Sequence, residues 1–385
     1  MIKQDNSKDL VSKMLQLADV RVNGPNPWDV QVHDERLFSR LLKEGELAFG
    51  ESFMDGWWDC ERVDLLIERI AKAEIHKKIR YDVGFVFKAF RHMIFNPQTK
   101  RGSKKVAVDH YDVGNDLYER MLDRGMNYSC GFWKYADDLD QAQEDKLEMI
   151  CQKLQLKPGM RLLDIGCGWG GMAKHASTHY GVDVVGVTIS KEQQKLAQER
   201  CAGLSIDIRL CDYRDLGEQF DRVVSIGMFE HVGYKNYGTY MDVVHRNLKD
   251  GGLFLLHTIG NNRSVRTGSP WILKYIFPNS MIPSIKQIGK AIEKRFVMED
   301  WHNFGADYEK TLQAWHHNFT EHWDEIKHHY DERFYRMWSY YLQFCAGGFR
   351  ARYLQLWQIL LSKGGIAGGC QVRDLTPRRH NRAPE

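Results

Sequence analysis

The stretch from Arg161 to His175, RLLDIGCGWGGMAKH, runs an apolar segment into a glycine-rich turn and then into a helix-compatible segment. Gly166, Gly168 and Gly171 stand in the spacing G-x-G-x-x-G, which at a strand-to-helix turn lets backbone close on a ligand. Four more apolar runs of strand character follow: VDVVGVTIS, IDIRLC, DRVVSIG and GLFLLHTIG. Helical patterns such as KEQQKLAQERC and YGTYMDVVHRNL separate several of them. This alternation predicts an α/β fold with a doubly wound parallel sheet, whose ligand sits at the carboxyl ends of the strands. An NAD enzyme usually carries an acid at the end of the second strand, to bind ribose hydroxyls. Here that tip holds Thr188 and Ser190, and the nearby acid, Asp183, lies at the strand's beginning, which disfavours NAD.

The rest of the chain sets the frame around this unit. Its 385 residues, 43% hydrophobic and 27% charged, suffice for two domains. Residues 1–95 read as a smaller amino-terminal α/β domain associated with lipid or membrane, residues 96–105 (NPQTKRGSKK) as a linker, and residues 106–385 as the catalytic domain. The net charge of +3 is uneven: Lys77 to Lys105 holds nine Lys or Arg against one Asp. Within that block Val83, Phe87, Phe90 and Ile94 share one helical face, with Phe85 and Phe95 beside them. Apolar area plus positive charge suits a membrane-surface contact, and the plainer alternative is a core-facing helix with a solvated basic side. The aromatics are not interleaved as stacking platforms, so nucleic acid is not an expected partner.

The eight cysteines include no C-x-x-C pair and are expected to be reduced thiols. The amino terminus lacks a secretory h-region and no apolar run is long enough to span a bilayer, so the expected setting is cytoplasmic. Near the carboxyl end Phe334, Met337, Trp338, Tyr341, Leu342 and Cys345 form one helical stripe, followed by YLQLWQILL, which fits either a closing strand or a buried helix. The final TPRRHNRAPE is polar and expected to fray. His316, His317, His322, His328 and His329 lack tight ligand spacing, so no metal is expected.

The pattern LLDIGCGWGG, with Asp164 two residues before the first glycine, resembles the first motif of class I S-adenosylmethionine (SAM) methyltransferases, a Rossmann-like fold. A second acid, Asp212 in CDYRDL, follows the third strand, where that fold holds the adenine ring. Runs over nearly the whole chain are then similar to one family, the cyclopropane-fatty-acyl-phospholipid synthases, relatives of the mycolic acid cyclopropane synthases. They are GESFMDGWWDC, HYDVGNDLYERMLD, NYSCGFW, LQLKPGMRLLDIGCGWGG, VVGVTISKEQQKLAQER, GMFEHVG, FLLHTIG, MEDWHNFGADYEKTLQAW and CAGGFRAR. The resemblance implies transfer of the sulfonium methyl of SAM to a cis double bond in an acyl chain of a membrane phospholipid. Proton loss and ring closure follow, leaving S-adenosylhomocysteine (SAH). An alkene is a weak nucleophile, so such a site must align the reacting carbons, exclude water and supply a base.

The resemblance also implies roles for particular residues. Glu230, His257, the backbone at Ile259, Tyr308 and the region of Cys130 would hold a bicarbonate ion acting as general base. His231 would orient the loop. Cofactor contacts fall on Tyr128, Ser129, Asp164, Gly166, Gly168, Thr188, Ile189, Gln193, Asp212 and Tyr213, with Gln193 reaching the ribose hydroxyls in place of the missing acid. Cys345 is a candidate from its CAGGF context; methyl transfer to an alkene needs no thiol nucleophile, which favours a pocket-lining role. Phe132, Trp133, Phe229 and Trp271 are candidates for cation–π contact worth about 0.5 to 2 kcal/mol each. Each has a plainer reading as packing. The expected partners are a bilayer with cis-unsaturated chains, at its inner face, and a second copy in a homodimer. The rivals are methyl or methylene transfer without ring closure, and a non-catalytic lipid-binding protein on a degenerate fold. Intact Asp164, Gly166, Gly168, Glu230, His257 and Tyr308 argue against decay.

Overall fold

The structure is a computed structural model that describes residues 4–74, 114–372 and 375–379. The basic block Lys77 to Lys105 and the expected linker 96–105 lie outside the described residues. The chain divides into two compact units. The first comprises residues to Met121 with Thr267–Asn279 and Leu312–Tyr353, and the second comprises Leu122–Arg266, Ser280–Thr311 and the chain from Leu354.

The first unit is mainly helical. Its described strands are β1 (Gln31–Val32) and β2 (Trp58–Asp59), an antiparallel pair. The predicted stripe forms the helix Glu332–Arg350, on which Met337, Trp338, Tyr341 and Leu342 are buried. That helix packs closely on the helix Val63–Ala73: a Cβ at Gly347 would stand 2.4 Å from the carbonyl oxygen of Asp64. The buried Asp64 carboxylate accepts from the guanidiniums of Arg62 and Arg350, which hold it below the usual carboxylate range despite its burial. Trp58 stacks on Phe49 at 4.2 Å and donates its indole N–H to the Phe49 carbonyl.

The second unit carries the predicted sheet. Its strands are β3 (Arg161–Ile165), β4 (Asp183–Thr188), β5 (Ile206–Leu210), β6 (Phe220–Ile226), β7 (Leu248–Gly260), β8 (Val297–Asn303) and β9 (Gln355–Ser362), in the order β5-β4-β3-β6-β7-β9-β8. The five strands from β5 to β7 are parallel neighbours; β9 is antiparallel to both β7 and β8. Alternation along β3 sends Leu162 to the core on one face and Leu163 and Ile165 to the core on the other, as a sheet covered on both faces requires. The YLQLWQILL run is thus a strand, with all eight residues of β9 buried. β8 is an edge strand that the sequence reading did not anticipate. Strand order reverses at β3, between β4 and β6, so the crevice for a ligand opens at the carboxyl ends of these strands.

Candidate active site

After β3 the chain turns through Gly166, Gly168 and Gly170 at φ of 82°, 53° and 82°, a left-handed region that side chains with a Cβ avoid. A Cβ at Gly166 would also press on the Met228 side chain at 2.9 Å. The motif's third glycine, Gly171, serves approach instead: a Cβ there would meet the Gly125 carbonyl oxygen at 2.7 Å. Asp164 sits just before this turn, 1% exposed, and its Oδ2 has no hydrogen-bond partner among the described residues. Burial pushes its pKa up to about 7, against the pull of the Lys146 ammonium.

At the tip of β4 the Thr188 hydroxyl donates to Gln193 Oε1 at 2.9 Å and accepts from the Ser190 amide at 3.2 Å, which ties the strand end to the next helix. Between them Ile189 is 83% exposed, an aliphatic side chain at the edge of the crevice. Beyond β5, Asp212 caps a short 3-10 turn through the Arg214 amide and pairs with the Arg214 guanidinium, whose hydrogen bonds hold its carboxyl below the usual range. Tyr213 packs on Tyr240 at 5.2 Å.

The loop from Tyr128 to Trp133 is held from two sides. From the helix Leu139–Lys153, Lys146 donates to the Ser129 hydroxyl at 3.0 Å and Gln143 to the Ser129 carbonyl at 2.7 Å. From the start of the helix Ala306–Glu321, Thr311 Oγ1 accepts from the Gly131 amide and the Trp133 indole, and Asp307 accepts from the Trp133 amide at 2.8 Å. Cys130 is fully buried and burial pushes its thiol well above the usual value, so it stays protonated. Phe132 meets Phe304 edge-on at 5.4 Å.

A second constellation follows β6 and β7. Glu230 lies on the 3-10 turn Phe229–His231; its Oε1 accepts from the Ile259 amide at 2.6 Å, and its carbonyl accepts from the Met281 amide. Its Oε2 is buried with no hydrogen-bond partner among the described residues, and burial pushes its pKa up to about 7. His257, two residues before Ile259 on β7, is 1% exposed; its Nδ1 faces the Gln358 carboxamide nitrogen at 3.4 Å, and its Nε2 has no hydrogen-bond partner among the described residues. Burial holds this imidazole neutral, well below its usual pKa. Phe304 packs edge-on to it at 5.9 Å, and Tyr308 is buried in the first turn of the next helix. That helix approaches β9 because residue 305 is glycine: a Cβ there would lie 2.7 Å from the Leu356 amide.

The second unit therefore carries Asp164, Glu230, His257, Tyr308, Cys130, Ile259 and every predicted cofactor residue. The Ile259 amide is committed to Glu230, so any influence it has on a bound ion passes through that carboxyl. His231 is exposed. Phe229 stacks on Tyr237 at 4.2 Å within the core. Cys345 and Trp271 belong to the first unit. There Cys345 is half-buried with its thiol pushed up to about 12 by desolvation, and Trp271 packs on Tyr340 at 4.8 Å. Among the histidines, His317 faces Glu321 and His329 faces Asp116 as exposed pairs. Sequence reasoning missed the polar groups behind the site: Gln143, Lys146 and Lys153 on one helix and Gln358 on β9, all buried.

Chemically the strand ends offer two buried carboxyls reluctant to ionise, one neutral imidazole and a glycine turn shaped for close approach. Among the described residues no helix is long and apolar enough to cross a membrane.

Comparison with known proteins narrows this chemistry. The mycolic acid cyclopropane synthetase family profile matches residues 98–359. A cyclopropane-fatty-acyl-phospholipid synthase of Escherichia coli is 53% identical over 371 residues, covering 96% of this chain and 97% of that protein. The tuberculostearic acid methyltransferase UfaA1 of Mycobacterium tuberculosis is 32% identical over 86% of this chain and 82% of its own. Among solved structures, the cyclopropane synthase MmaA2 of Mycobacterium tuberculosis superposes with a TM-score of 0.63 at 31% identity, over 70% of this chain and all of that one. The mycolic acid cyclopropane synthase CmaA1, complexed with SAH and CTAB, gives 0.62 at 32% identity, over 69% and 99%. With the sheet order, the glycine turn and near full-length similarity in agreement, the chain belongs to the cyclopropane-fatty-acyl-phospholipid synthases, a family of SAM-dependent methyltransferases.

Proposed function

We propose that this enzyme transfers the methyl group of SAM to the cis double bond of an acyl chain in a membrane phospholipid and closes a cyclopropane ring, with a bicarbonate ion held by Glu230 and His257. The observation that carries the base site is a pair of buried polar atoms without hydrogen-bond partners among the described residues, Glu230 Oε2 and His257 Nε2, from residues on and just beyond neighbouring strands. Buried polar atoms are rarely left unpaired, and the Ile259 amide that holds Glu230 lies two residues beyond His257, which brings both residues to the same end of the sheet, where a small oxyanion would fit. When bound, bicarbonate would supply the base for the proton lost on ring closure.

The chain's own residues divide the remaining work. SAM would lie across the ends of β3 and β4, between the glycine turn, Asp164 and the Tyr128–Ser129 backbone, with Gln193 toward the ribose and Asp212 with Tyr213 toward the adenine. Glu230, with its raised pKa, retains a proton near neutrality and can donate it in a hydrogen bond toward an anion, which a carboxylate could not do. The neutral His257 imidazole donates from one nitrogen only, and burial keeps the Cys130 thiol protonated. Phe132, Phe304 and Trp133 line the approach with apolar surface, which keeps water from trapping a carbocation. The membrane contact of the basic block and the homodimer remain part of the proposal, on charge pattern and resemblance.

The test is turnover of cis-unsaturated phospholipid vesicles by the purified protein, with and without removal of carbonate. Stripping carbonate should slow turnover, and added bicarbonate should restore it. His257→Phe should lower kcat by roughly 100-fold or more while SAM affinity stays within about twofold. Full turnover in carbonate-free buffer would move the base to a protein side chain.

A further inference from the structure

Behind His257 the sheet places three polar side chains in one row. Gln358 of β9 stands in register with His257 of β7 on one side and His302 of β8 on the other, and β9 is hydrogen-bonded to both neighbours. Gln358 is 1% exposed, between the apolar Trp357 and Ile359 of the strand. Its Nε2 points at His257 Nδ1 at 3.4 Å, while its Oε1 has no hydrogen-bond partner among the described residues. On the far side His302 Nδ1 accepts from the buried Lys153 ammonium at 3.1 Å, and Lys153 also faces Asp300 at 3.6 Å.

We propose that Gln358 is a positioning residue for the active site: its carboxamide fixes the tautomer of His257, so that the imidazole presents an N–H, and not a lone pair, from Nε2. A carboxamide nitrogen is only a donor, so the ring nitrogen facing it must accept. In a neutral imidazole the one proton then resides on the other nitrogen. That nitrogen is the unpartnered Nε2, on the strand whose Ile259 amide holds Glu230. Burial, and after it the ammoniums of Lys146 and Lys153, oppose protonation of the ring, so a second N–H is not available and the choice of tautomer decides whether the site can donate to an anion. The opposite choice would set a lone pair against that anion. The proposal deepens the reading of an anion site at Glu230 and His257 and rests on it for its kinetic consequence, while the tautomer can be read without it.

The experiment is a long-range proton–nitrogen NMR correlation on full-length protein labelled with 15N-histidine, with the His257 signals assigned by their loss in His257→Phe. In the wild type, His257 should show a protonated Nε2 and a bare Nδ1; a protonated Nδ1 would overturn the proposal without recourse to any variant. In Gln358→Glu a carboxylate should draw the proton to Nδ1, and in Gln358→Met, a near-isostere, both tautomers should appear. Turnover in Gln358→Glu should fall about 10- to 100-fold in kcat with the KM for SAM within about twofold. An unchanged Nε2–H tautomer in both variants, or a reversed tautomer with full turnover, overturns the positioning role. Bicarbonate-independent turnover in the wild type would defeat the base assignment alone and leave the tautomer result standing.

Discussion

Replacing Glu230 by Gln should shift the stability difference between the two proteins in favour of the variant as pH rises. The Glu230 pKa stands at about 7 in the folded protein against an ordinary 4.5, because burial penalises the carboxylate more than hydrogen bonding, chiefly from the Ile259 amide and in smaller part from Thr258, relieves it. The folded state therefore binds this proton more tightly than the unfolded state, so the associated stability is complete below about pH 4.5 and is lost as pH rises toward 7. At 1.36 kcal/mol per unit the full loss is about 3 kcal/mol, of which about 2 kcal/mol falls above pH 5.5. Gln has the same shape, retains an oxygen for the Ile259 amide and does not ionise. Its buried N–H2 adds a cost independent of pH, and the other buried carboxyl, that of Asp164, is common to both proteins and cancels in the difference. Urea unfolding of both proteins at intervals from pH 5.5 to 8.5 should show the stability difference moving in favour of Glu230→Gln by about 2 kcal/mol, most of it below pH 7.5. A difference constant to within about 0.5 kcal/mol would mean that the carboxyl ionises normally, and would refute the proton-holding role.

Two further substitutions probe the cofactor side. Lys146→Met removes the ammonium that supports the Ser129 hydroxyl and offsets the charge of Asp123 and Asp164, so it should cost about 3 kcal/mol of stability and weaken SAM binding about tenfold by calorimetry; an affinity within twofold of wild type would remove Lys146 from the site. Gly166→Ala meets both a φ of 82° and the Met228 side chain at 2.9 Å, and should destabilise by about 1 to 2 kcal/mol with a matching loss of SAM affinity, whereas wild-type stability in the urea assay would contradict the conformational argument.

The strands β3 to β7 were legible to within a few residues because buried parallel strands read as short apolar runs between glycines and acids. β9 was ambiguous for the same reason carried further: with every residue buried, its sequence has no face, and only pairing with β7 and β8 makes it a strand. β8 was invisible because MEDWHN is polar and largely half-exposed, held in the sheet by its partner and not by its own pattern. Asp164, Glu230 and His257 could be found through the motifs LLDIGCGWGG, GMFEHVG and FLLHTIG and the family resemblance that these carry. Lys146 and Lys153 could not, since LDQAQEDKLEMICQK reads as a solvated helix face and only packing reveals that its polar side chains are buried. Gln358 is hidden in the same way, one of two glutamines within LQLWQILL.

The most direct test of the central claim is mass spectrometry of vesicles of cis-unsaturated phospholipid incubated with the purified full-length protein and SAM, followed by mild hydrogenation of the product. The account predicts acyl chains heavier by one CH2 that take up no hydrogen at the new position. Chains that gain a CH2 and then take up hydrogen would contradict ring closure, and chains that gain nothing would contradict the proposed activity itself.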